Sequence, residues 1–482
     1  IFSSWDKDEL TISEEPFMLE AKDKIAMSNL KMRLSYGQAG NNRIASGMFE
    51  TLYKAYSSSK YYGAGNILNP HYTLSNAQLA NPNLKWETTT TRNLGLDFGF
   101  FNERLNGNID LYWNSTADLL IKSKINAMGY TEVQENVAET SNKGVEISLN
   151  GNILQKKNYS LNVNFNIGFN RNRVEKLKNG ITSQEYNSGG FSTDLKEQDD
   201  YRVIVGEPLG IIYGFVSDGY YSVDDFETYV DGNGATQFKM NNGNYVLKEG
   251  VANNAYTAGS VAGLRPGSIK LKDLDNSGTI DAKDRQIIGR TAPKHTGGFG
   301  INGTVYGFDI SATFNWVYGN QVYNLDKIAT TQTYRTTYAN MRDYMSSNNR
   351  FTYLDRATGE IVTDYATLKA MNEGKEYWSP LSIGDNSPIV TSWAVEDGSY
   401  LRFQNLTVGY TLPQSWTKKF ACNQFRVYCT LNNIWTWTKY TGYDPEVNSS
   451  IRSSSTSGLT PGADFSSYPK SFSWTVGLNL SF

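Results

Sequence analysis

Lys470-Ser-Phe-Ser-Trp-Thr-Val-Gly-Leu-Asn-Leu-Ser-Phe482 is the stretch from which the rest of the chain can be read. Phe472, Trp474, Val476, Leu478, Leu480 and Phe482 share one parity; Ser471, Ser473, Thr475, Gly477, Asn479 and Ser481 share the other. Successive side chains of a β-strand point to opposite faces, so the stretch has one apolar face and one small-polar face. Aromatic residues close both ends of the apolar face. A tilted strand of about 9–11 residues crosses the hydrocarbon core of a bilayer, and this stretch is long enough to do so.

The same alternation recurs upstream. Residues 29–36 and 86–100 are strand candidates, the second with Leu94, Leu96, Phe98 and Phe100 on one face. A third sets Leu105, Ile109, Leu111 and Trp113 against Asn106, Asn108, Asp110 and Tyr112. A fourth, reached through a medium loop, passes through Val145, Ile147 and Leu149. In a fifth, Tyr159, Leu161, Val163, Phe165, Ile167 and Phe169 alternate with Ser, Asn and Gly. Four more run through Phe299 to Val305, Phe308 to Trp316, Leu406 to Leu412 and Phe425 to Trp435, and 470–482 is the last. Links after the second, fourth, sixth and eighth strands are short. Those after the odd ones are long, the longest being the excursion 172–296.

Short turns at one rim and long loops at the other are the pattern of an outer-membrane barrel. The expected fold is therefore all-β, a transmembrane antiparallel β-barrel with about ten strands in residues 1–482 and long extracellular loops. A C-terminus at the periplasmic rim puts every long loop outside. The competing fold is a soluble β-sandwich or propeller, whose strands also alternate. Polar faces made mainly of Asn, Ser, Gly and Thr suit a lumen better than a solvent face.

Charge is nearly balanced, with 45 Lys and Arg against 48 Asp and Glu and a net charge of −3, so no basic surplus points to nucleic acid. No run of about 18 apolar residues offers a helical span, a test that interleaved barrel strands escape. Cys422 and Cys429 are read as unpaired, because an extended strand between them holds their Cα atoms too far apart for a disulfide. The chain opens on Ile1-Phe-Ser-Ser-Trp5 with no initiator Met or signal peptide. It reads as a mature fragment or the second half of a longer protein.

Several motifs in order add a family resemblance: Asn81-Pro-Asn-Leu-Lys-Trp-Glu-Thr-Thr-Thr90, Asn93-Leu-Gly-Leu-Asp97, Leu105-Asn-Gly-Asn-Ile-Asp-Leu-Tyr-Trp-Asn114, Asn142-Lys-Gly-Val-Glu-Ile147, the run from Gly267 to Asp281, and Tyr400-Leu-Arg-Phe-Gln-Asn-Leu406. From about residue 28 onward the chain resembles the SusC/RagA family of TonB-dependent outer-membrane transporters of Bacteroidota. The resemblance implies a barrel of about 22 strands, a plug and TonB box that residues 1–482 do not carry, and a SusD-like lipoprotein over the mouth. It also implies import of an oligomeric nutrient, an oligosaccharide in the first reading and an oligopeptide in the alternative. The partners it implies are the SusD-like lipoprotein, the TonB complex acting through the missing N-terminal part, the rest of the barrel, and membrane lipid. A passive porin or surface adhesin is the reading from another class, and an upstream plug discriminates against it.

One segment carries site chemistry. Asp273-Leu-Asp-Asn-Ser-Gly-Thr-Ile-Asp-Ala-Lys-Asp284 has the spacing of a calcium loop: Asp273, Asp275 and Ser277 at positions 1, 3 and 5, Gly278 at the sharp turn, the Thr279 carbonyl at 7, Asp281 at 9 and Asp284 at 12. Ser at position 5 and Asp for Glu at position 12 weaken the set. The segment binds a structural Ca²⁺, ahead of Mg²⁺, or it is an Asx-rich turn whose carboxylates cap backbone amides.

His71 and His295 sit in no catalytic or metal pattern, and Gly189-Gly190 and Gly297-Gly298 lack the strand–turn–helix context of a phosphate loop. No enzyme constellation is present. Tyr61, Tyr62, Tyr220, Tyr221, Tyr377, Trp378, Trp393, Tyr440 and Tyr443 fall in the long loops and are read as contacts to substrate or to the lid lipoprotein.

Overall fold

The computed structural model describes residues 27–41, 53–55, 72–74, 78–127, 130–178, 180–188, 199–254, 264–331, 340–380, 389–447, 458–465 and 467–482. Ten long strands pair antiparallel in sequence order: β1 (Met27–Asn41), β2 (Glu87–Phe100), β3 (Leu105–Ala127), β4 (Tyr130–Lys156), β5 (Tyr159–Lys176), β6 (His295–Val305), β7 (Phe308–Tyr318), β8 (Tyr400–Thr411), β9 (Gln424–Thr438) and β10 (Ser473–Ser481). A two-residue strand, Gln78–Leu79, runs parallel beside β4. Among the described residues β1 pairs only with β2 and β10 only with β9, so the sheet is open at both edges.

The register turns the alternation of each strand into two continuous faces. Leu30, Phe98, Gly107, Leu149, Phe165, Phe299, Phe314, Phe403 and Trp435 are successive cross-strand partners. Phe299 stacks on Phe314 at 4.5 Å and Phe314 on Phe403 at 4.4 Å. Gly107 has no room for more, since a Cβ there would lie 2.3 Å from the Ser148 carbonyl. On the opposite face Asn152, Asn162, Asn302, Ser311, Thr407, Thr430 and Thr475 form a polar row. Neighbours in it hydrogen-bond: Asn162 to Asn152 at 2.9 Å, Ser311 to Asn302 at 2.7 Å, Thr407 with Thr430 at 2.9 Å. A one-residue slip would exchange the faces, so the pattern itself holds the register.

The short rim is made by local backbone chemistry. Tyr306 (φ 47°) and Gly307 (φ 90°) make the two-residue reversal between β6 and β7. Both central residues of such a turn need positive φ. A Cβ on Gly307 would also stand 2.8 Å from the Thr411 carbonyl.

The expected medium loop between the third and fourth strands is a misreading. β3 and β4 stay paired as far as Ala127 opposite Tyr130, well past the point where β2 ends opposite Ala117. The hairpin persists because Leu119 and Ile121 rest against a buried cluster of Ala138, Val174, Leu177 and Val203.

The long excursions are themselves folded. The connections β5–β6 and β7–β8 share cores. One contains Tyr201, Ile212, Tyr323, Leu325, Ile328, Val390 and Ala394; another contains Tyr221, Phe226, Phe238, Leu264, Phe351 and Leu368. Strands Ser183–Tyr186, Tyr201–Ile204, Ile211–Phe215 and Arg285–Arg290 make a separate four-stranded sheet within this body. Connections of such length stay ordered only if they bury apolar surface of their own. The apolar face of the long sheet, by contrast, is bare: Leu34, Ile310, Val408 and Leu478 are exposed. An exposed apolar band of this extent needs a non-aqueous neighbour.

Candidate cation loop and loop surface

The acidic loop 273–284 hangs from the shared body by a single apolar residue. Ile280 is fully buried with Phe215, Leu271 and Ile389. Its amide donates to the Asn253 carbonyl at 2.9 Å, and the Asn253 amide donates to the Gly278 carbonyl at 3.0 Å. Asn276 (φ 58°) and Gly278 (φ 79°) supply the left-handed turns that fold the loop back on itself. Carboxylate oxygens of Asp273, Asp275 and Asp284 thereby lie within 4.8 Å of one another. That separation fits oxygens sharing one Ca²⁺ at about 2.4 Å each.

Asp284 is fully buried, and each of its oxygens accepts a backbone amide, Leu274 N and Asp281 N, at 2.8 Å. It therefore staples the two ends of the loop. Asp273 accepts from Ser277 N at 3.2 Å and Gly278 N at 2.8 Å, and Asp275 from Ser277 N at 3.0 Å. Hydrogen bonding from Ser277 holds the Asp275 carboxyl below the usual carboxylate range. The Ser277 hydroxyl donates to the Thr279 carbonyl at 2.8 Å, which puts two further oxygens beside the carboxylates. Asp281 does not join them in this arrangement. Its carboxylate accepts Lys283 N at 2.7 Å and starts the short 3-10 turn Ala282–Asp284. Ile280, absent from the expected ligand set because it binds nothing, was legible as the lone aliphatic side chain between Ser277 and Asp281.

The nine loop aromatics separate by burial. Tyr221, Trp378 and Tyr440 are each less than 7 % exposed, which corrects their assignment as contacts. The Tyr221 hydroxyl donates to the Ala252 carbonyl and the Tyr440 hydroxyl to Asp464, each at 2.5 Å, while Trp378 Nε1 donates to the Thr331 carbonyl at 3.0 Å. No face is left for a ligand. Tyr220 is half-buried with its hydroxyl on the Lys375 carbonyl at 2.9 Å. Tyr61 and Tyr62 lie outside the described residues.

The remaining three belong to one patch with residues the sequence reading missed. Tyr377 lies 5.2 Å from Tyr344 and 6.4 Å from Trp393, ring centre to ring centre. Lys327 sits 4.0 Å over the Trp393 ring, and Arg342, paired with Asp326, sits 5.2 Å over the exposed ring of Tyr443. Burial pushes the Tyr344 phenol up to about 12. Lys327 and Arg342 carried no signal of their own, since their rings lie far away in sequence.

His295 and Gly297 have packing roles. His295 Nδ1 accepts Trp316 Nε1 at 3.0 Å and the ring stacks on Tyr318 at 4.9 Å. Gly297 lies where a Cβ would meet the Asn166 carbonyl at 2.4 Å. His71, Gly189 and Gly190 are outside the described residues. Cys422 and Cys429 are free.

Comparison with known proteins agrees with this architecture. Residues 25–263 match the family described as TonB dependent receptor-like, beta-barrel. TonB-dependent receptor P3 of Formosa agariphila is 30 % identical over 469 residues, 96 % of this chain and 40 % of the relative. The part 25–263 of the chain thus matches the TonB-dependent receptor β-barrels. Another such receptor, SusC of Bacteroides thetaiotaomicron, is 26 % identical over 480 residues, 98 % of this chain and 39 % of the relative. The structure of the RagAB peptide transporter superposes with a TM-score of 0.64 at 22 % identity, over 96 % of this chain and 42 % of the other, a likeness of fold. The chain thus spans about two fifths of the TonB-dependent receptors it matches. None of these relatives is named as an enzyme.

Proposed function

We propose that this chain supplies wall, lumen and extracellular loops to a TonB-dependent outer-membrane transporter that imports an oligomeric nutrient beneath a SusD-like lipoprotein. The observation that carries the reading is the pairing of two unbroken faces on one sheet, an aromatic and aliphatic row on one side and an Asn/Ser/Thr row on the other. The first suits lipid and the second a hydrated passage. A C-terminus at the periplasmic side then places the packed loop body outside the cell.

An oligosaccharide is the first reading of the cargo. Its hydroxyls match neutral amide and hydroxyl rows, and its ring faces match aromatic side chains such as Tyr377, Trp393 and Tyr443. The same patch equally suits a lid contact. An oligopeptide is the alternative, the cargo class named for RagAB. The loop 273–284 holds Ca²⁺ between Asp273, Asp275 and Asp284, with Ser277 and the Thr279 carbonyl turning in to complete the shell. There it stiffens the loop body without catalytic duty.

Capture of the native complex from detergent-solubilised outer membrane, with mass spectrometry of every component, tests this reading. Recovery of a plug-bearing segment, a SusD-like lipoprotein and surface glycanases supports glycan import, and peptidases in their place support the peptide alternative. Recovery without any plug refutes energised transport and favours a porin or adhesin.

A further inference from the structure

The turn between β8 and β9 is built unlike the tight reversal between β6 and β7. Gln414–Thr417 forms one helical turn and Lys418–Phe420 a 3-10 turn, closed by Ala421 at φ 52°. Cys422 N closes the turn on the Thr417 carbonyl at 3.2 Å, and two backbone bonds pin it to the sheet, Leu412 N to the Phe425 carbonyl at 2.9 Å and Asn423 N to the Ser481 carbonyl at 2.7 Å. Between turn and sheet runs a groove of about 290 Å³ walled by Leu412, Trp416, Thr417, Cys422, Phe425, Leu480 and Phe482, with the Thr417 hydroxyl turned to the Gln414 carbonyl. Phe425 and Leu480 are register partners on the apolar face, so the groove opens on the lipid side.

Its chemistry is two-ended. Cys422 turns its thiol onto the Gln424 and Ser481 carbonyls at 3.0 and 3.1 Å, leaving a wall without a free polar group there. Trp416, 56 % exposed, belongs to the residue type that anchors at the membrane–water boundary. Lys418 and Lys419 follow at once, both exposed and without a carboxylate partner among the described residues. An apolar slot, an interfacial tryptophan and two free cations complement one acyl chain and one anionic headgroup.

We propose that this groove holds an anionic phospholipid of the leaflet at the short-turn rim, the tail between Trp416 and Phe482 and the phosphate at Lys418 and Lys419. The proposal rests on the transmembrane reading of the sheet. Full-length transporter, stripped of lipid in detergent, is titrated with phosphatidylglycerol or phosphatidylcholine and read by native mass spectrometry. Phosphatidylglycerol is expected to bind the more tightly. The pair Lys418→Ala and Lys419→Ala weakens it by roughly tenfold or more while sparing phosphatidylcholine. The pair Lys418→Arg and Lys419→Arg preserves it, and Trp416→Ala weakens both lipids. Equal binding of the two lipids, or full phosphatidylglycerol binding by the alanine pair, overturns the proposal. Heat-modifiable gel mobility reports the barrel separately. Its absence in the wild type refutes the transmembrane reading instead.

Discussion

Asp284→Ala perturbs the loop 273–284 at its staple. The side chain is fully buried and takes two amide bonds of 2.8 Å, from Leu274 and Asp281. Alanine leaves both part-buried donors without these partners, at up to about 1–3 kcal/mol each, or about 2–6 kcal/mol in local stability. Tenfold per about 1.4 kcal/mol makes the lower bound roughly thirtyfold in the opening equilibrium of those amides. Hydrogen exchange of the full transporter, read by mass spectrometry over residues 272–286, measures it without requiring global unfolding. Asp275→Ala is the control. Its exposed carboxylate accepts one backbone amide, Ser277 N, which Asp273 also accepts, so protection without cation should hardly change. With Ca²⁺ at about a hundred times its Kd, the wild-type loop gains about 2.7 kcal/mol of protection, and Asp275→Ala loses most of that gain. Unchanged protection of Leu274 and Asp281 in Asp284→Ala refutes the staple. A wild-type loop indifferent to millimolar Ca²⁺ refutes the cation.

Asp200 is fully buried beside Ser188, and burial raises its carboxyl to about 6. An unfolded Asp titrates near 3.9, so the folded loop body binds this proton more tightly; the contribution of Asp200 to its stability is fully present below about pH 4 and is lost as pH rises through about 6, a difference of roughly 3 kcal/mol. Asp200→Asn should remove that slope, and identical pH profiles for variant and wild type in chemical denaturation would defeat the argument. Arg402 and Asp444 form a buried pair, 2.5 Å apart, that ties β8 to the β9–β10 connection. Arg402→Met strands the Asp444 charge and should destabilise that connection by about 3–5 kcal/mol, with much of it recovered on adding Asp444→Leu; equal damage in the single and double variants, measured by limited proteolysis, contradicts this. Val476 and Thr475 are neighbours on opposite faces of β10. Val476→Arg should cost about 2–4 kcal/mol of barrel stability in liposome refolding while Thr475→Arg is tolerated, and the reverse order would invert the assignment of faces.

Parity did most of the reading. From Phe472 to Phe482, from Tyr159 to Asn170 and from Phe308 to Trp316 the alternation is local. Period-two geometry converts it to a face without knowledge of any partner strand. The calcium-type spacing was legible for the same reason, because Asp273, Asp275 and Gly278 act within one turn of chain. Burial was not legible. Tyr220 and Tyr221 are adjacent, yet one is half-exposed and the other sits in a core completed by Phe351 and Leu368. The β3–β4 hairpin looked like a loop because Ala138 and Val174, which hold it with Leu119 and Ile121, come from different strands.

By itself the sequence determined most of the long strands, their faces and the turn chemistry, all set within a few residues. Only the tertiary structure decided that two long connections fold together as one body, that Asp284 is a staple while Asp281 caps a turn, and that Lys327 and Arg342 cover Trp393 and Tyr443. Those outcomes depend on which distant surfaces exclude water from one another, and no local pattern encodes that.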